Sequence, residues 1–227
     1  MAEALARTRS RVAAAARASG RDPAEIDLLL AVKRQPVDAV REAVAAGASL
    51  LGHNRAQELL QMAPQLADVP HEMHFIGHLQ SNKVNQILPW VTCVQSVDSP
   101  ALAQRLDRAA ERAQRVLDVF VQVNTSAEAT KFGVGVADAV PTAHAVASLP
   151  NLRLRGLMTI GAHTSDTAVV RASFDRLTEL RHALLASGAP GTGQARELSM
   201  GMSADLEVAI AAGSTMVRVG SDVFGPR

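Results

Sequence analysis

Residues 28–46, LLLAVKRQPVDAVREAVAA, join a short aliphatic run to a segment with helical periodicity. The run at 28–32 is too short for a helix and predicts a buried strand, whereas the apolar spacing at 37–46 predicts the helix that follows it. Gly47 stands just past that helix, where a left-handed residue commonly ends a helix. A strand followed by a helix is the repeating unit of parallel α/β folds.

The same unit recurs along the chain. We predict strands at residues 28–32, 49–51, 74–76, 92–94, 119–123, 154–158, 197–199 and 216–219, and helices at 37–46, 56–62, 82–87, 100–113, 137–147, 167–186 and 205–212. Eight strands joined by seven helices favour an α/β fold, a TIM-type (β/α)8 barrel forming a single domain over residues 1–227. An extra N-terminal helix, with Leu5, Val12 and Ala16 on one stripe, is expected to close the base of the barrel. The alternative, a doubly wound open sheet, calls for a glycine-rich phosphate loop in the first strand–helix turn, which here reads VKRQPVD.

The composition excludes several classes of protein. Apolar residues make up 48% of the chain and aromatic residues only 3%, which suits a parallel sheet buried under helices. The net charge is +1, and no basic patch or long apolar run predicts binding to nucleic acid or a membrane. A single cysteine, Cys93, cannot form an internal disulfide. The Arg-rich start has the composition of a transit peptide, but an ordinary amphipathic helix is the preferred interpretation, and the cytoplasm is the expected compartment.

Functional side chains of barrels collect at the carboxyl ends of the strands. Polar residues at those positions are Lys33, Asn54, His78, Asn124, Ser199 and Arg218. Lys33 directly follows an apolar run, where desolvation disfavours the charged amine and makes it a better nucleophile toward an aldehyde. Taken alone, Lys33 is more simply interpreted as a solvated cation that ends a strand, and only its position facing a phosphate site favours the nucleophile.

The segment 198–213, LSMGMSADLEVAIAAG, places small residues before a helix. Ser199, Gly201 and Ser203 offer hydroxyls and closely approaching backbone N–H groups, as phosphate-binding loops do. A simpler interpretation is that Ser203 only caps the helix. Asp205 and Glu207 in the first helical turn also oppose a bound anion.

A second small pair, Gly220 and Ser221, follows the last strand. The loops after strands seven and eight form the usual phosphate site of such barrels, so the two segments together indicate a phosphate ligand. Arg218 precedes the pair by two residues. Its guanidinium only donates hydrogen bonds, and beside a pyridine nitrogen it would keep that nitrogen unprotonated, which suits a carrier better than a transaminase.

Seven sequence segments identify a family. They are LLAVKRQPVDAV, GHNRAQE, HFIGHLQSNK, SVDS, QVNTSAEATKFG, LRLRGLMTIG and LSMGMSADLEVAIAAGSTMVRVGSDVFG, which run in order from about residue 28 to 225. The chain resembles the pyridoxal phosphate homeostasis proteins, the proline synthase co-transcribed homologue family, whose fold is like the alanine racemase N-terminal domain.

The resemblance implies a cytosolic barrel that carries pyridoxal 5′-phosphate as a Schiff base on Lys33. It implies a phosphate held by the GMS segment and by Gly220 and Ser221, a ring nitrogen facing Arg218, and Asn54 among the binding residues. The implied role is to buffer and deliver the cofactor to apo forms of pyridoxal-phosphate enzymes, without robust catalytic turnover. The expected oligomeric state is a monomer or a weak dimer.

Three positions depart from the family pattern. Val32 stands where Ser or Thr is common, and Ser221 stands in place of Thr with its hydroxyl retained. The usual GEN triplet reads Gly52-His53-Asn54, so that an imidazole is expected near the cofactor mouth in place of a carboxylate. This change puts in doubt any role of that carboxylate in cofactor release.

Two other functions are weighed against a carrier. A pyridoxal-phosphate racemase or lyase with a barrel-only architecture is the main alternative, but two-base racemisation needs a tyrosine opposite the lysine, and the chain has no tyrosine. A zinc-dependent lyase is disfavoured because HEMH at 71–74 lacks metal-ligand spacing. The second alternative is a protein-interaction module with a vestigial pocket. His78 and Lys83 are interpreted as loop and helix residues near the mouth, and Cys93 and Trp90 as packing residues.

Overall fold

The computed structural model describes residues 1–126, 128 and 131–225. Eight parallel strands form a closed barrel in chain order: β1 Asp27–Ala31, β2 Leu50–His53, β3 Glu72–Phe75, β4 Cys93–Val97, β5 Leu117–Gln122, β6 Leu152–Met158, β7 Glu197–Ser199 and β8 Met216–Val219. The barrel closes where Leu30 of β1 pairs with Val219 of β8. The predicted (β/α)8 barrel is confirmed, and the open-sheet alternative is wrong.

Helices surround this barrel. They are α1 Ala2–Ala18, α2 Val37–Ala45, α3 Ala56–Met62, α4 Val84–Ile87, α5 Pro100–Arg112, α6 Ala139–Ala147, α7 Thr167–Ala186, α8 Leu206–Ala211 and α9 Ser221–Phe224. Short 3-10 turns lie at Pro23–Glu25, Ala63–Leu66, Ser81–Lys83, Leu88–Trp90 and Val136–Asp138. The sequence predicted α1 to α8 but not α9, because a helix of one turn carries no periodicity.

Helix α1 was expected to close the base of the barrel. Its observed position is different, because it also packs against the outer helices. Helix α1 packs against α8, α9 and α2, and α9 follows the carboxyl end of β8. Arg11 of α1 bonds Glu207 of α8 at 2.5 Å and Asp222 of α9 at 2.6 Å. Because α9 is a single turn, α1 supplies the outer helix that covers β8 and β1, with Leu5, Val12 and Ala16 buried.

The core has two parts separated by the sheet. Inside the barrel, a small cluster joins Leu29, Cys93, Phe120, Met158 and Met216. A larger aliphatic cluster fills the space between strands and helices. A Cβ at Gly52 would lie 2.5 Å from Leu29 Cδ2, so a larger residue at that lumen position would require the buried Leu29 side chain to shift. Cys93 is a buried core residue as predicted, and burial raises the pKa of its thiol.

Strand β4 is longer than the sequence predicted. The sequence predicted a strand at 92–94, whereas β4 continues to Val97 and therefore includes Gln95 and Ser96. Both polar side chains are buried. Across the described part of the chain, the helices include none with the length and apolar character needed to cross a membrane.

Candidate functional site

Lys33 lies at the carboxyl end of the barrel, in the turn that begins two residues after β1. Its side chain is half-buried. The strand register pairs Leu30 with Val219 and Ala31 with Gly52. Lys33 therefore leaves the sheet between the segment after β8 and the segment after β2, as predicted for a residue at the mouth.

Arg218 lies on β8 with its side chain buried, and the residue is only 5% exposed. Its Nη1 donates to Ser199 Oγ at 2.9 Å, and its Nη2 donates to the carbonyl oxygen of Thr159 at 2.8 Å. Burial lowers the pKa of Arg218 to about 10, with the Asp205 charge acting in the opposite direction. The guanidinium therefore stays protonated at neutral pH although its described hydrogen-bond acceptors are neutral oxygens. A buried cation in this state favours a further acceptor or an anion beside it.

A chain of buried side chains holds Arg218 from the opposite side of the lumen. Ser199 Oγ donates to Gln95 Oε1 at 2.6 Å, and Gln95 Nε2 donates to His74 Nδ1 at 2.7 Å. Burial lowers the pKa of His74 to about 4, so its ring is neutral and accepts this bond. Ser199, predicted to face a phosphate, thus has its hydroxyl engaged with Arg218 and Gln95.

Sequence reasoning missed Gln95 and Thr159 in this network. Gln95 had one visible signal, because a glutamine inside the otherwise apolar strand CVQSV needs a buried partner. Thr159 contributes a backbone carbonyl to Arg218, which no side-chain pattern reveals.

The loop after β7 is drawn tightly onto helix α8. Gly201 has φ +94°, and a Cβ there would lie 2.5 Å from Ala209 Cβ, so both its backbone conformation and its surroundings require glycine. Its carbonyl accepts the Arg218 N–H at 2.9 Å. Asp205 Oδ1 accepts the Met202 N–H at 2.6 Å and closes the loop around Ser203. Burial raises the pKa of Asp205.

Ser203 is half-buried within this loop. Helix α8 begins at Leu206 and has Asp205 as its N-cap, so the interpretation of Ser203 as a simple capping residue is wrong. Glu207, which was expected to oppose an anion, is paired with Arg11 of α1 at 2.5 Å. Its charge is therefore compensated on the outside of the barrel.

The Gly220–Ser221 segment lies beside this loop, because β7 and β8 are neighbours with Ser199 paired to Met216. Gly220 is the N-cap of α9, and Ser221 is its exposed first residue. Among the described hydrogen bonds, none takes the backbone N–H of Ser203, Ala204 or Gly220. The two loops thus follow neighbouring strands, and each has backbone N–H groups of the kind that a phosphate site uses.

The two predicted asparagines have different surroundings. Asn54 follows β2, and its Oδ1 is buried without a hydrogen-bond partner in the described structure. Asn124 Nδ2 instead donates to the carbonyl oxygens of Glu128 at 2.8 Å and Lys131 at 3.3 Å. Asn124 therefore shapes the loop after β5, whereas Asn54 keeps an unused acceptor at the mouth.

His53 does not lie at the cofactor mouth, and that expectation is wrong. Because side chains alternate along a strand, Leu50 and Gly52 face the lumen and His53 faces helix α3. Its Nε2 lies 3.2 Å from Met62 Sδ, and its Nδ1 has no partner among the described atoms. Burial lowers the pKa of His53 to about 4, so this imidazole is neutral at physiological pH.

Loops after three consecutive strands meet at the rim of the mouth. The His78 ring stacks on Phe132 with 3.9 Å between ring centroids, and His78 Nδ1 lies 3.2 Å from Asp98 Oδ2. The interpretation of His78 as a loop residue near the mouth is confirmed, while Asp98 and Phe132 were not predicted. Within residues 1–126, 128 and 131–225, no group of His, Cys, Asp and Glu side chains is arranged to hold a metal ion.

Known proteins match this chain in sequence and in fold. The family model described as alanine racemase, N-terminal domain, matches residues 5–227. The pyridoxal phosphate homeostasis protein of Pseudomonas aeruginosa is 45% identical over 227 residues, covering 100% of this chain and 96% of that protein. The structure of PipY from Synechococcus elongatus with PLP bound has a TM-score of 0.86 at 34% identity and covers 99% of both chains. An alanine racemase of Clostridium difficile has a TM-score of 0.75 at 14% identity. The match covers 89% of this chain and 53% of that chain, and the likeness concerns the fold alone.

Proposed function

This chain belongs to the alanine racemase N-terminal domain family and, within it, to the pyridoxal phosphate homeostasis proteins, and we propose that it binds pyridoxal 5′-phosphate in order to buffer and deliver it. The single observation that carries the proposal is the convergence at one barrel mouth of a half-buried lysine, a buried arginine without a described carboxylate partner, and two loops rich in backbone donors. Bound cofactor supplies an aldehyde, a phosphate and a ring nitrogen, one for each of these three groups.

Lys33 is the proposed attachment point, through a Schiff base to the aldehyde. Its position between the segments after β8 and β2 places it beside the proposed phosphate loops and beside Asn54. The unpartnered Asn54 Oδ1 supports a polar ligand at this place, because a buried acceptor is normally paired.

The proposed phosphate ligands are Ser203 and Ser221 through their hydroxyls, and the backbone at Gly201 and Gly220. Support comes from the neighbouring position of the two loops and from the N–H groups that no described protein atom accepts. Gly201 lets the loop backbone approach α8 closely and so fixes the position of the loop relative to that helix.

Arg218 is proposed to face the ring nitrogen, and Ser199 to hold Arg218 in place. Two hydrogen bonds and a buried network behind Ser199 fix the guanidinium. Because a guanidinium has no proton-accepting atom and stays charged here, it keeps the ring nitrogen unprotonated. The ring is then a poor electron sink, and this favours storage of the cofactor over catalysis.

A racemase or lyase activity fits these residues less well. The chain has no tyrosine to act as the acid opposite Lys33, and the likeness to the Clostridium difficile enzyme concerns the fold alone. We propose the cytoplasm as the compartment, apo pyridoxal-phosphate enzymes as recipients, and a monomer or weak dimer as the assembly.

Absorbance of the purified protein with added pyridoxal phosphate tests the proposal. We expect a visible Schiff-base band that borohydride abolishes and that K33A lacks, and we expect an apo-enzyme to gain activity when mixed with the loaded protein. A wild-type protein without that band would favour the interaction module with a vestigial pocket. A band with no transfer to any apo-enzyme would leave binding intact and contradict delivery.

A further inference from the structure

Arg34, the residue after Lys33, has φ +58°. L-residues with side chains rarely adopt this left-handed conformation, since it brings the Cβ too close to the following carbonyl oxygen. The other non-glycine residue described with positive φ is Gln114, which follows helix α5, where such a conformation commonly ends a helix. Arg34 ends no helix; its turn has one backbone hydrogen bond, from the Gln35 N–H to the Val32 carbonyl oxygen at 3.2 Å, and one further interaction at the Arg34 N–H itself.

That interaction comes from Glu58 of helix α3. Its Oε2 accepts the backbone N–H of Arg34 at 3.0 Å. The Glu58 side chain is 24% exposed, and its other oxygen lies 3.6 Å from Arg55 Nη1. A charged acceptor makes a hydrogen bond roughly twice as strong as a neutral one, which is enough to offset the left-handed conformation.

Glu58 reaches the turn because β1 and β2 are neighbours. Ala31 pairs with Gly52, and helix α3 starts three residues after β2 ends. The Glu58 carboxylate therefore connects helix α3, which follows the next strand, to the turn that contains Lys33.

We propose that Glu58 is a positioning residue for Lys33: by holding the Arg34 peptide in its left-handed conformation, it directs the Lys33 side chain toward the bound aldehyde. This inference rests on the proposed function, because Lys33 must be the attachment point for its direction to matter.

The test compares E58A and E58Q with variants of Arg34. Loss of the hydrogen bond from the Arg34 N–H to Glu58 should raise the dissociation constant for pyridoxal phosphate about tenfold in E58A. This factor matches the cost of the left-handed conformation. It should also lower the fraction of bound cofactor that absorbs as the Schiff base at saturation. E58Q keeps an acceptor oxygen without the charge, and should lie between E58A and wild type.

Substitutions at Arg34 separate the effect of the backbone conformation from the effect of losing the side chain. Glycine adopts positive φ without cost, so E58A/R34G should bind within about twofold of R34G alone. E58A/R34A removes the same guanidinium but keeps a Cβ, and should remain as weak as E58A. Asp22, whose Oδ1 accepts the Ala24 N–H at 2.9 Å near the other end of β1, provides the matched control. D22A loses a comparable bond and should leave the dissociation constant and the band unchanged.

Several outcomes would overturn the inference. Cofactor binding and band intensity in E58A and E58Q equal to wild type would show that the carboxylate does not position Lys33. Equal recovery by R34A and R34G would show that the left-handed conformation is irrelevant. If E58A does not fold, E58Q and E58Q/R34G carry the same comparison. Absence of the band in wild type would instead contradict the proposed function.

Discussion

Replacing Arg218 with methionine distinguishes two effects of this residue. One is its effect on the stability of the fold, and the other is its effect on cofactor affinity. Burial lowers the pKa of Arg218 to about 10, a shift that destabilises the charged form by about 3 kcal/mol relative to the neutral form. Its two hydrogen bonds, each worth about 1.5–3 kcal/mol for a charged donor, offset that cost. Methionine fills much of the same volume, and Ser199 keeps its bond to Gln95. We therefore expect the free energy of unfolding of the cofactor-free R218M protein to change by less than about 2 kcal/mol.

Cofactor affinity should respond far more strongly. A hydrogen bond from a charged donor to the ring nitrogen is worth about 1.5–3 kcal/mol, which is roughly a 10- to 150-fold rise in the dissociation constant when it is lost. Urea denaturation would give the stability, and titration of the visible band would give the affinity. Arg115 offers a matched control, because it also donates to backbone carbonyls, at 2.7 Å for Val91, and burial also lowers its pKa. R115M should leave affinity unchanged. Wild-type affinity in R218M would refute the placement of Arg218 at the ring.

The phosphate loops, the buried histidines and the absence of catalysis can each be tested. The double variant S203A/S221A should bind pyridoxal phosphate at least tenfold more weakly by titration, since hydroxyl bonds to a charged phosphate are worth about 1.5–3 kcal/mol each, and an unchanged constant would place the phosphate elsewhere. His53 and His74 have folded pKa values of about 4 against 6.5 for the free side chain, so the unfolded state binds more protons and stability should fall as the pH falls from 6.5 through 4. H53Q should remove about half of that loss in urea titrations at pH 7 and pH 4, and an unaltered pH dependence would contradict a neutral buried His53. The loaded protein should not exchange the Cα hydrogen of alanine or serine in deuterated solvent, and NMR detection of exchange at about 1 s⁻¹ or faster would restore the enzyme alternative.

Much of the fold was predictable because the chain repeats one local pattern. Each aliphatic run and helical segment carries its own periodicity, and the strict alternation of strand and helix predicts the barrel without tertiary information. The position of α1 was not predictable in this way, because it depends on α9 being too short to cover β8. Packing between distant segments decided that point.

The candidate site was predictable where it follows from strand ends, and not where it depends on partners across the lumen. Lys33 and Arg218 were found because the carboxyl ends of barrel strands meet at one mouth. Gln95 joins Ser199 across 104 residues, a pairing that no local pattern contains. The position of His53 was predicted wrongly because successive side chains of a strand face opposite sides of the sheet. A shift of one residue therefore decides whether a side chain faces the lumen or the helices.

Peptide mapping after borohydride reduction identifies the lysine that binds the cofactor. Lys33, Lys83 and Lys131 are the lysines of the chain, and we expect the reduced pyridoxyl mass on Lys33. Lys131 is the informative alternative, because it also lies in a loop at the carboxyl end of the barrel, where its Nζ bonds Glu128 Oε1 at 2.6 Å. K131A should therefore keep the label and K33A should lose it. Label on Lys131 in the wild-type protein, or full labelling of K33A, would contradict attachment of the cofactor to Lys33.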